Sequence, residues 1–463
     1  MSAQSPLILS NPYTGETIGT APRQTPAAFN RAIQKAQSAL PALKAFPLYR
    51  RAEALMTVAM KLRQTLEELP ALVVRETGKT IREARAETAR TALIFQLAGE
   101  EARRLHGETV PFDGLPNGVG RTGYFLREPV GIVGAITPWN VPLALAAHKI
   151  APALAGGNAV IYKPAEQTSL SAKILAEIVS ASGFPDNALT LITGYGEEVG
   201  DAIVTHPDIP FVSFTGSREV GLTLPARAGF KKITLELGGN SPVIVAPSAD
   251  TSDAAGQIVA GGFAVAGQLC ISVQRVIVHE SILDSLLAEL LPKVAALRVG
   301  DPMDETTDVG TLISMEACER VAVQVANAVQ SGAKVLVGGQ KLGRSGYTPT
   351  VLTDILPDSL LAREEAFAPL VLVMPYRELD DAIALANSTD YGLNAGIFTN
   401  DLREAFYAAE NIVAGSVMIN DVPTFRSDVM PYGGRKHSGL GREGIRFALE
   451  EMTVAKVVCF RHV

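Results

Sequence analysis

Cysteine is scarce in this chain: 463 residues contain only Cys270, Cys318 and Cys459. Three scattered thiols exclude a disulfide framework and a cysteine zinc site, and they fit a reducing cytoplasm. The six histidines, His106, His148, His206, His279, His437 and His462, are equally scattered and give no catalytic triad or metal spacing. No apolar run approaches the roughly 20 residues that a membrane-spanning helix needs. The opening Met1-Ser2-Ala3-Gln4-Ser5-Pro6 lacks the basic region and apolar core of a signal peptide. Basic residues number 41 against 48 acidic ones, with no basic block, so a nucleic-acid partner is not expected. What remains is a mildly acidic chain too long for one ordinary core, for which two or more domains are expected.

Helical and strand patterns alternate as a doubly wound α/β sheet requires. Residues Pro26 to Leu69 read as two amphipathic helices, and Ile81 to Leu105 continues in that style. The Gly- and Pro-rich stretch Val110 to Arg127 reads as a hairpin outside the main sheet, and an exposed hairpin needs a partner. Beyond it a βαβ rhythm sets in, with strands predicted at Val130–Ile136, Ala159–Lys163, Leu189–Thr193, Phe211–Thr215 and Ile233–Leu237, and helices at Leu143–Leu154 and Ser171–Ser182. A second series follows, with strands at Pro242–Val245, Arg275–Val278, Lys334–Val337, Leu370–Tyr376 and Ala395–Thr399. The change of role near residue 240 marks a domain boundary.

Two residues carry the chemistry. Glu236 stands at a predicted strand end before Gly238-Gly239, where missing side chains let a substrate approach the backbone. A carboxylate so placed can move a proton. Cys270 lies 34 positions later among small residues, Gly262-Phe263-Ala264-Val265-Ala266-Gly267-Gln268-Leu269-Cys270, so its sulfur is open to approach. A free cysteine is more often simply part of a core. A third feature, Gly216-Ser217-Arg218-Glu219-Val220-Gly221, joins a strand to a helix start, where backbone N–H groups and the helix dipole can hold a pyrophosphate, although it is not the usual G-x-G-x-x-G fingerprint.

With these blocks stand Thr137-Pro138-Trp139-Asn140, Lys163-Pro164-Ala165-Glu166, Phe214-Thr215-Gly216-Ser217, Glu364-Glu365-Ala366-Phe367 and Pro431-Tyr432-Gly433-Gly434. In this order, from about Asn11 to Gly444, the chain resembles the aldehyde dehydrogenase superfamily. The resemblance implies a Rossmann-type cofactor domain (1–108 and 129–239), an α/β catalytic domain (240–437) and a small β oligomerisation element (109–128 and 438–463), giving a homodimer or homotetramer.

It also implies the reaction, an NAD(P)-dependent oxidation of an aldehyde to a carboxylic acid. Cys270 matches the nucleophile that forms a thiohemiacetal and then a thioester. Asn140 matches the donor to the developing oxyanion, and Glu236 the general base that activates the hydrolytic water. Because Glu236 is present, hydrolysis is expected rather than transfer of the acyl group to CoA. For the cofactor, Ile136, Trp139, Gly216, Ser217, Gly221 and Leu237 match the dinucleotide cleft. Lys163 and Glu166 match the adenosine-ribose contacts, Glu365 the nicotinamide-ribose contact, and Phe367 the neighbour of the ring. A carboxylate at Glu166 favours NAD, with NADP possible. Ala368 departs from the family, where glycine is usual. Lys149 matches a position near the base and reads equally as a lysine on a helix face.

For substrate binding, Leu269, Ile271 and Phe425 suggest an apolar wall, while Arg426 points to a carboxylate or phosphate on a short hydroxylated or anionic aldehyde. Asp428 offers Arg426 an ordinary ion-pair partner instead, and Arg90 is either a second anion contact or a surface arginine. Two alternatives from other classes stay open: a nicotinamide-independent cysteine esterase or acyltransferase, and a catalytically silent NAD-binding scaffold.

Overall fold

The computed structural model describes residues 5–462, so the leading Met1 to Gln4 of the predicted leaderless N-terminus lies outside the described residues. Three helices, not two, occupy the N-terminal region: Pro26–Ala45, Leu48–Arg63 and Glu68–Thr77. The third is hidden in the sequence by Pro70. A proline in the first turn is harmless there, because that N–H has no helical acceptor. The following helix, Ile81–Ala102, starts on a full capping box in which Thr80 and Glu83 satisfy each other's backbone N–H groups.

The first main sheet runs, edge to edge, Leu189–Leu191, Ala159–Lys163, Ile132–Ile136, Phe211–Thr215, Lys232–Glu236 and the short antiparallel Gly439–Leu440. Its three central strands are buried along their whole length, as expected of a parallel sheet covered on both faces. Register aligns Ile136 with Lys163 and with Phe214, and Thr215 with Glu236. The carboxyl ends of these strands therefore share one edge. Strand order reverses between Ile132–Ile136 and Phe211–Thr215, the topological switch point where such sheets bind ligands.

The second sheet runs Lys334–Val337, Thr350–Thr353, Leu370–Tyr376, Val273–His279, Ser241–Val245, Asn394–Phe398 and Ser416–Ile419, parallel except for its first strand. A separate three-stranded sheet pairs Thr453–Arg461 with Arg121–Pro129 over nine residues each, and Glu108–Thr109 closes it. The predicted hairpin thus finds its partner in the C-terminal strand. Of the segment 438–463, only that strand joins the small sheet: Gly439–Leu440 extends the first main sheet, and Ile445, Leu449 and Met452 pack into the core beneath it.

Candidate active site

The strand Lys232–Glu236 ends in Leu237-Gly238-Gly239, and both glycines are dictated by close approach. A Cβ on Gly239 would lie 2.2 Å from the Cys270 carbonyl oxygen, and one on Gly238 would lie 2.3 Å from a carboxylate oxygen of Glu365. This turn therefore packs directly against both the Cys270 loop and the Glu365 carboxylate. Upstream of Cys270, Val265, Ala266 and Gly267 are all left-handed, with φ of 51°, 54° and 69°. Two non-glycine residues in that region mark a loop held by its surroundings. Glu83 accepts the Val265 N–H at 2.6 Å, so the helix cap also fixes the loop. Buried Gln268 brackets it with side-chain donations to the carbonyls of Val265 and Thr311 and acceptance from the Ile313 N–H.

A cleft of about 630 Å³ opens at the switch point. Its lining includes Trp139, Asn140, Gly216, Ser217, Leu237, Cys270, Glu365 and Phe367. The structure thus gathers eight of the expected catalytic and cofactor residues around one space. Glu236, Ile136, Lys163, Glu166 and Gly221 stand outside that lining. Ile136 and Lys163 end neighbouring strands, and Lys163 Nζ donates to Glu166 at 2.9 Å. Gly221 lets the helix Arg218–Ala228 settle on the sheet, since a Cβ there would meet the Leu237 side chain at 2.2 Å. Ser217 caps the helix, its hydroxyl accepting the Val220 N–H. Phe367, itself left-handed at φ 48°, meets Trp139 edge-on with centroids 5.6 Å apart. Ala368 is buried without disturbing this turn. Arg218, which lines the cleft, sits 3.1 Å from Glu364, whose carboxylate also accepts the Tyr391 hydroxyl at 3.0 Å.

Charges at the reaction centre are strongly shifted. Cys270 is partly accessible, yet burial of its sulfur pushes the thiol up to about 12, against a lowering hydrogen bond from Tyr432. Asn140 donates an amide proton to the Gln268 carbonyl at 2.8 Å, which pins it two residues before the nucleophile. Glu236 is buried, and among the described residues neither carboxylate oxygen has a hydrogen-bond partner. Burial, reinforced by the Glu443 charge, holds its carboxyl well above the usual range. Glu365 accepts the Gly239 N–H at 3.0 Å, but burial raises it to about 7.

Behind the nucleophile lies a cluster that the sequence reading did not assemble. Glu443 binds Lys149 Nζ at 2.7 Å and Arg426 Nη2 at 3.1 Å, and Lys149 also reaches Ser213 at 3.0 Å. Burial opposes the Glu443 charge, yet these cations hold its carboxyl down at about 2. Lys149 is therefore not a lysine on an exposed helix face.

Arg426 departs from expectation as well. It does not line the cleft; it is buried, paired with Glu443, and its guanidinium carbon lies 3.7 Å from the centre of the Tyr432 ring. Asp428 is not its partner, because a bidentate Arg90 contact at 2.6 and 3.1 Å and His148 at 3.0 Å already occupy that carboxylate. Arg90 is thereby committed to the loop rather than free at the surface. Leu269, Ile271 and Phe425 do not line the cleft: Ile271 packs with Leu393 and Tyr432, Leu269 is half-buried, and Phe425 is 49% exposed. Glu443, Tyr432, Gln268 and Glu83 escaped sequence analysis because their roles depend on contacts between distant segments. Among the described residues no helix is long and apolar enough to cross a membrane, and no group of three or more metal-ligating side chains converges.

Comparison with known proteins agrees with this geometry. The aldehyde dehydrogenase family model matches residues 1–458. A 3-sulfolactaldehyde dehydrogenase from Priestia aryabhattai is 43% identical, covering 97% of this chain and 93% of that protein. Among solved structures, aldehyde dehydrogenase 21 from Physcomitrella patens in complex with the reaction product succinate superposes with a TM-score of 0.96 at 38% identity, covering 100% of this chain and 96% of that one. A glyceraldehyde-3-phosphate dehydrogenase from Methanocaldococcus jannaschii, complexed with NADP, gives 0.95 at 40% identity over 99% and 100% of the two chains. The chain belongs to the aldehyde dehydrogenase family and is an NAD(P)-dependent oxidoreductase of aldehydes.

Proposed function

We propose that the protein oxidises a short anionic or hydroxylated aldehyde to its free carboxylic acid, with Cys270 as nucleophile, Asn140 as oxyanion donor and Glu236 as hydrolytic base. The observation that carries this reading is the pair formed by Glu236, buried with both oxygens unpartnered, and Cys270, open to the cleft. An unpaired buried carboxylate costs stability, and such a cost is retained where a group must exchange protons.

The cleft suits a dinucleotide. Glycines at 216 and 238 remove side chains that would strike Phe214 and Glu365, the Ser217 turn presents helix N–H groups for a pyrophosphate, and Glu365 can accept ribose hydroxyls. Lys163 and Glu166 are the expected holders of the second ribose, and the Glu166 carboxylate disfavours a 2′-phosphate, hence NAD over NADP. The bound nicotinamide supplies the hydride acceptor.

The protein's own part follows from its residues. The Cys270 thiol gives its proton to water in the cleft and the sulfur attacks the carbonyl carbon; a C–S bond forms and the carbonyl π pair moves to oxygen, where the free amide proton of Asn140 and the Cys270 backbone N–H can donate. Loss of hydride restores the carbonyl as a thioester on Cys270. Glu236 then takes a proton from water, hydroxide adds to the thioester carbon, and breakage of the C–S bond releases the acid and the sulfur.

Substrate class rests on the relatives, because Arg426 is committed to Glu443 and Tyr432. The relatives are a 3-sulfolactaldehyde dehydrogenase, an aldehyde dehydrogenase complexed with succinate and a glyceraldehyde-3-phosphate dehydrogenase, and sulfolactaldehyde, succinate and glyceraldehyde 3-phosphate are all short anions. Reduced-nicotinamide absorbance with NAD or NADP and lactaldehyde, succinic semialdehyde, glyceraldehyde 3-phosphate, benzaldehyde and hexanal tests the reading. The expected preference is for the short polar aldehydes with NAD, abolished by Cys270→Ala. Preference for hexanal or benzaldehyde would overturn the substrate class.

A further inference from the structure

Tyr432 stands at the meeting point of the nucleophile and the buried charge cluster. Its hydroxyl lies 3.5 Å from Cys270 Sγ, its ring carries the Arg426 guanidinium at 3.7 Å, and its backbone is locked to Glu443 by reciprocal bonds, N–H to O of 3.0 Å and 2.7 Å. The side chain is 1% exposed and packs with Ile271 and Leu393, so the hydroxyl has no freedom to seek water. We propose that Tyr432 is a further catalytic residue, the hydrogen-bond donor that stabilises the Cys270 thiolate, and that Arg426 is a positioning residue that strengthens this donor through the ring face.

Chemistry assigns the direction of the bond. A thiolate has no proton to give, so the phenol must donate to it. Burial keeps the Tyr432 hydroxyl protonated far beyond neutral pH, which preserves the donor. A cation over the ring face favours electron withdrawal from the oxygen and makes the O–H a stronger donor. The other charged groups around the sulfur cannot take this part: Glu365 and Glu236 are carboxylates that disfavour a thiolate, and Arg426 reaches it only across the ring. Tyr432 is thus the one side chain hydrogen-bonded to the sulfur among the described residues. A phenylalanine would fill the same space without the donor. The inference rests on Cys270 as the reactive nucleophile proposed above, and its test needs neither cofactor nor aldehyde.

The test is the pH dependence of iodoacetamide alkylation at Cys270, followed by peptide mass spectrometry on the intact enzyme, with exposed Cys459 as the internal reference. Tyr432→Phe is expected to slow Cys270 alkylation roughly 10-fold at pH 8 and to move its pH profile upward, the size of a hydrogen bond to a charged group, while Cys459 is unchanged. Arg426→Lys keeps a cation but loses the planar stack, and is expected to give a smaller shift in the same direction. A folded Tyr432→Phe, judged by retained thermal unfolding, that alkylates with the wild-type pH profile would overturn the inference. Should Tyr432→Phe not fold, an unshifted Arg426→Lys profile would overturn it equally. Absence of aldehyde oxidation in wild type, with the alkylation shift intact, would instead fault the substrate and reaction assignment and leave this contact standing.

Discussion

Two buried carboxylates separate the reaction face of this enzyme from the scaffold behind it. Glu443 sits between Lys149 and Arg426 and is held as an anion, down at about 2 despite its burial. Glu236 is just as buried and has no hydrogen-bond partner among the described residues, so burial drives its carboxyl well upward, and the charge of Glu443 drives it further. Desolvation is common to both; partners decide the outcome. One region commits its cations to a fixed charge, and the other leaves a buried carboxylate without a hydrogen-bond partner among the described residues.

The comparison breaks most visibly in turnover. Glu236→Gln is expected to lower steady aldehyde oxidation by roughly 10² to 10⁴, the usual contribution of a general base, measured as reduced nicotinamide per second. Asn140→Ala should cost roughly 10² to 10³ in the same assay, because an oxyanion donor is lost while the carboxylates are untouched.

Glu443→Gln acts on the other region. It strands two buried cations, and breaking such a pair costs about 3–5 kcal/mol of stability, measured by denaturant unfolding. The two carboxylates also give opposite pH signatures. The Glu443 carboxyl is depressed in the folded state, so its contribution is present above the unfolded value near 4.3 and is lost as pH falls toward about 2. The Glu236 carboxyl is raised, so its contribution is present below that unfolded value and is lost as pH rises. Thermal unfolding of Glu236→Gln should therefore gain on wild type between pH 5 and pH 8, and an equal difference at both would break the contrast.

A smaller effect concerns the cofactor. Burial places the Glu365 carboxyl at about 7. If its anion holds ribose hydroxyls, the Kd for NAD should fall about tenfold from pH 6 to pH 8 in wild type and stay flat in Glu365→Gln, as calorimetry would show.

Much of this architecture was legible because local pattern and tertiary role coincide. Strands such as Ala159–Lys163 and Phe211–Thr215 are short apolar runs bounded by turn residues, and the parallel sheet buries them on both faces. Thr350–Thr353 and Ser416–Ile419 are not expected from the sequence, although Lys334–Val337, equally short, is. Cys270, Glu236 and Asn140 announced themselves through small-residue surroundings and family register. Arg426 did not reveal its orientation, since its partner Glu443 belongs to a segment whose other ligand, Lys149, lies 294 positions away in the chain. Arg90 and Asp428, 338 positions apart, hid each other in the same way.

The division of labour between Glu236 and Glu443 predicts a trapped intermediate. Glu236→Gln mixed with NAD and a preferred aldehyde, quenched in acid and weighed by intact-protein mass spectrometry, should carry one acyl group on Cys270 and release one equivalent of reduced nicotinamide before stalling, whereas Glu443→Gln that remains folded should not accumulate the adduct. Wild-type steady turnover by Glu236→Gln with no adduct on Cys270 would contradict the account.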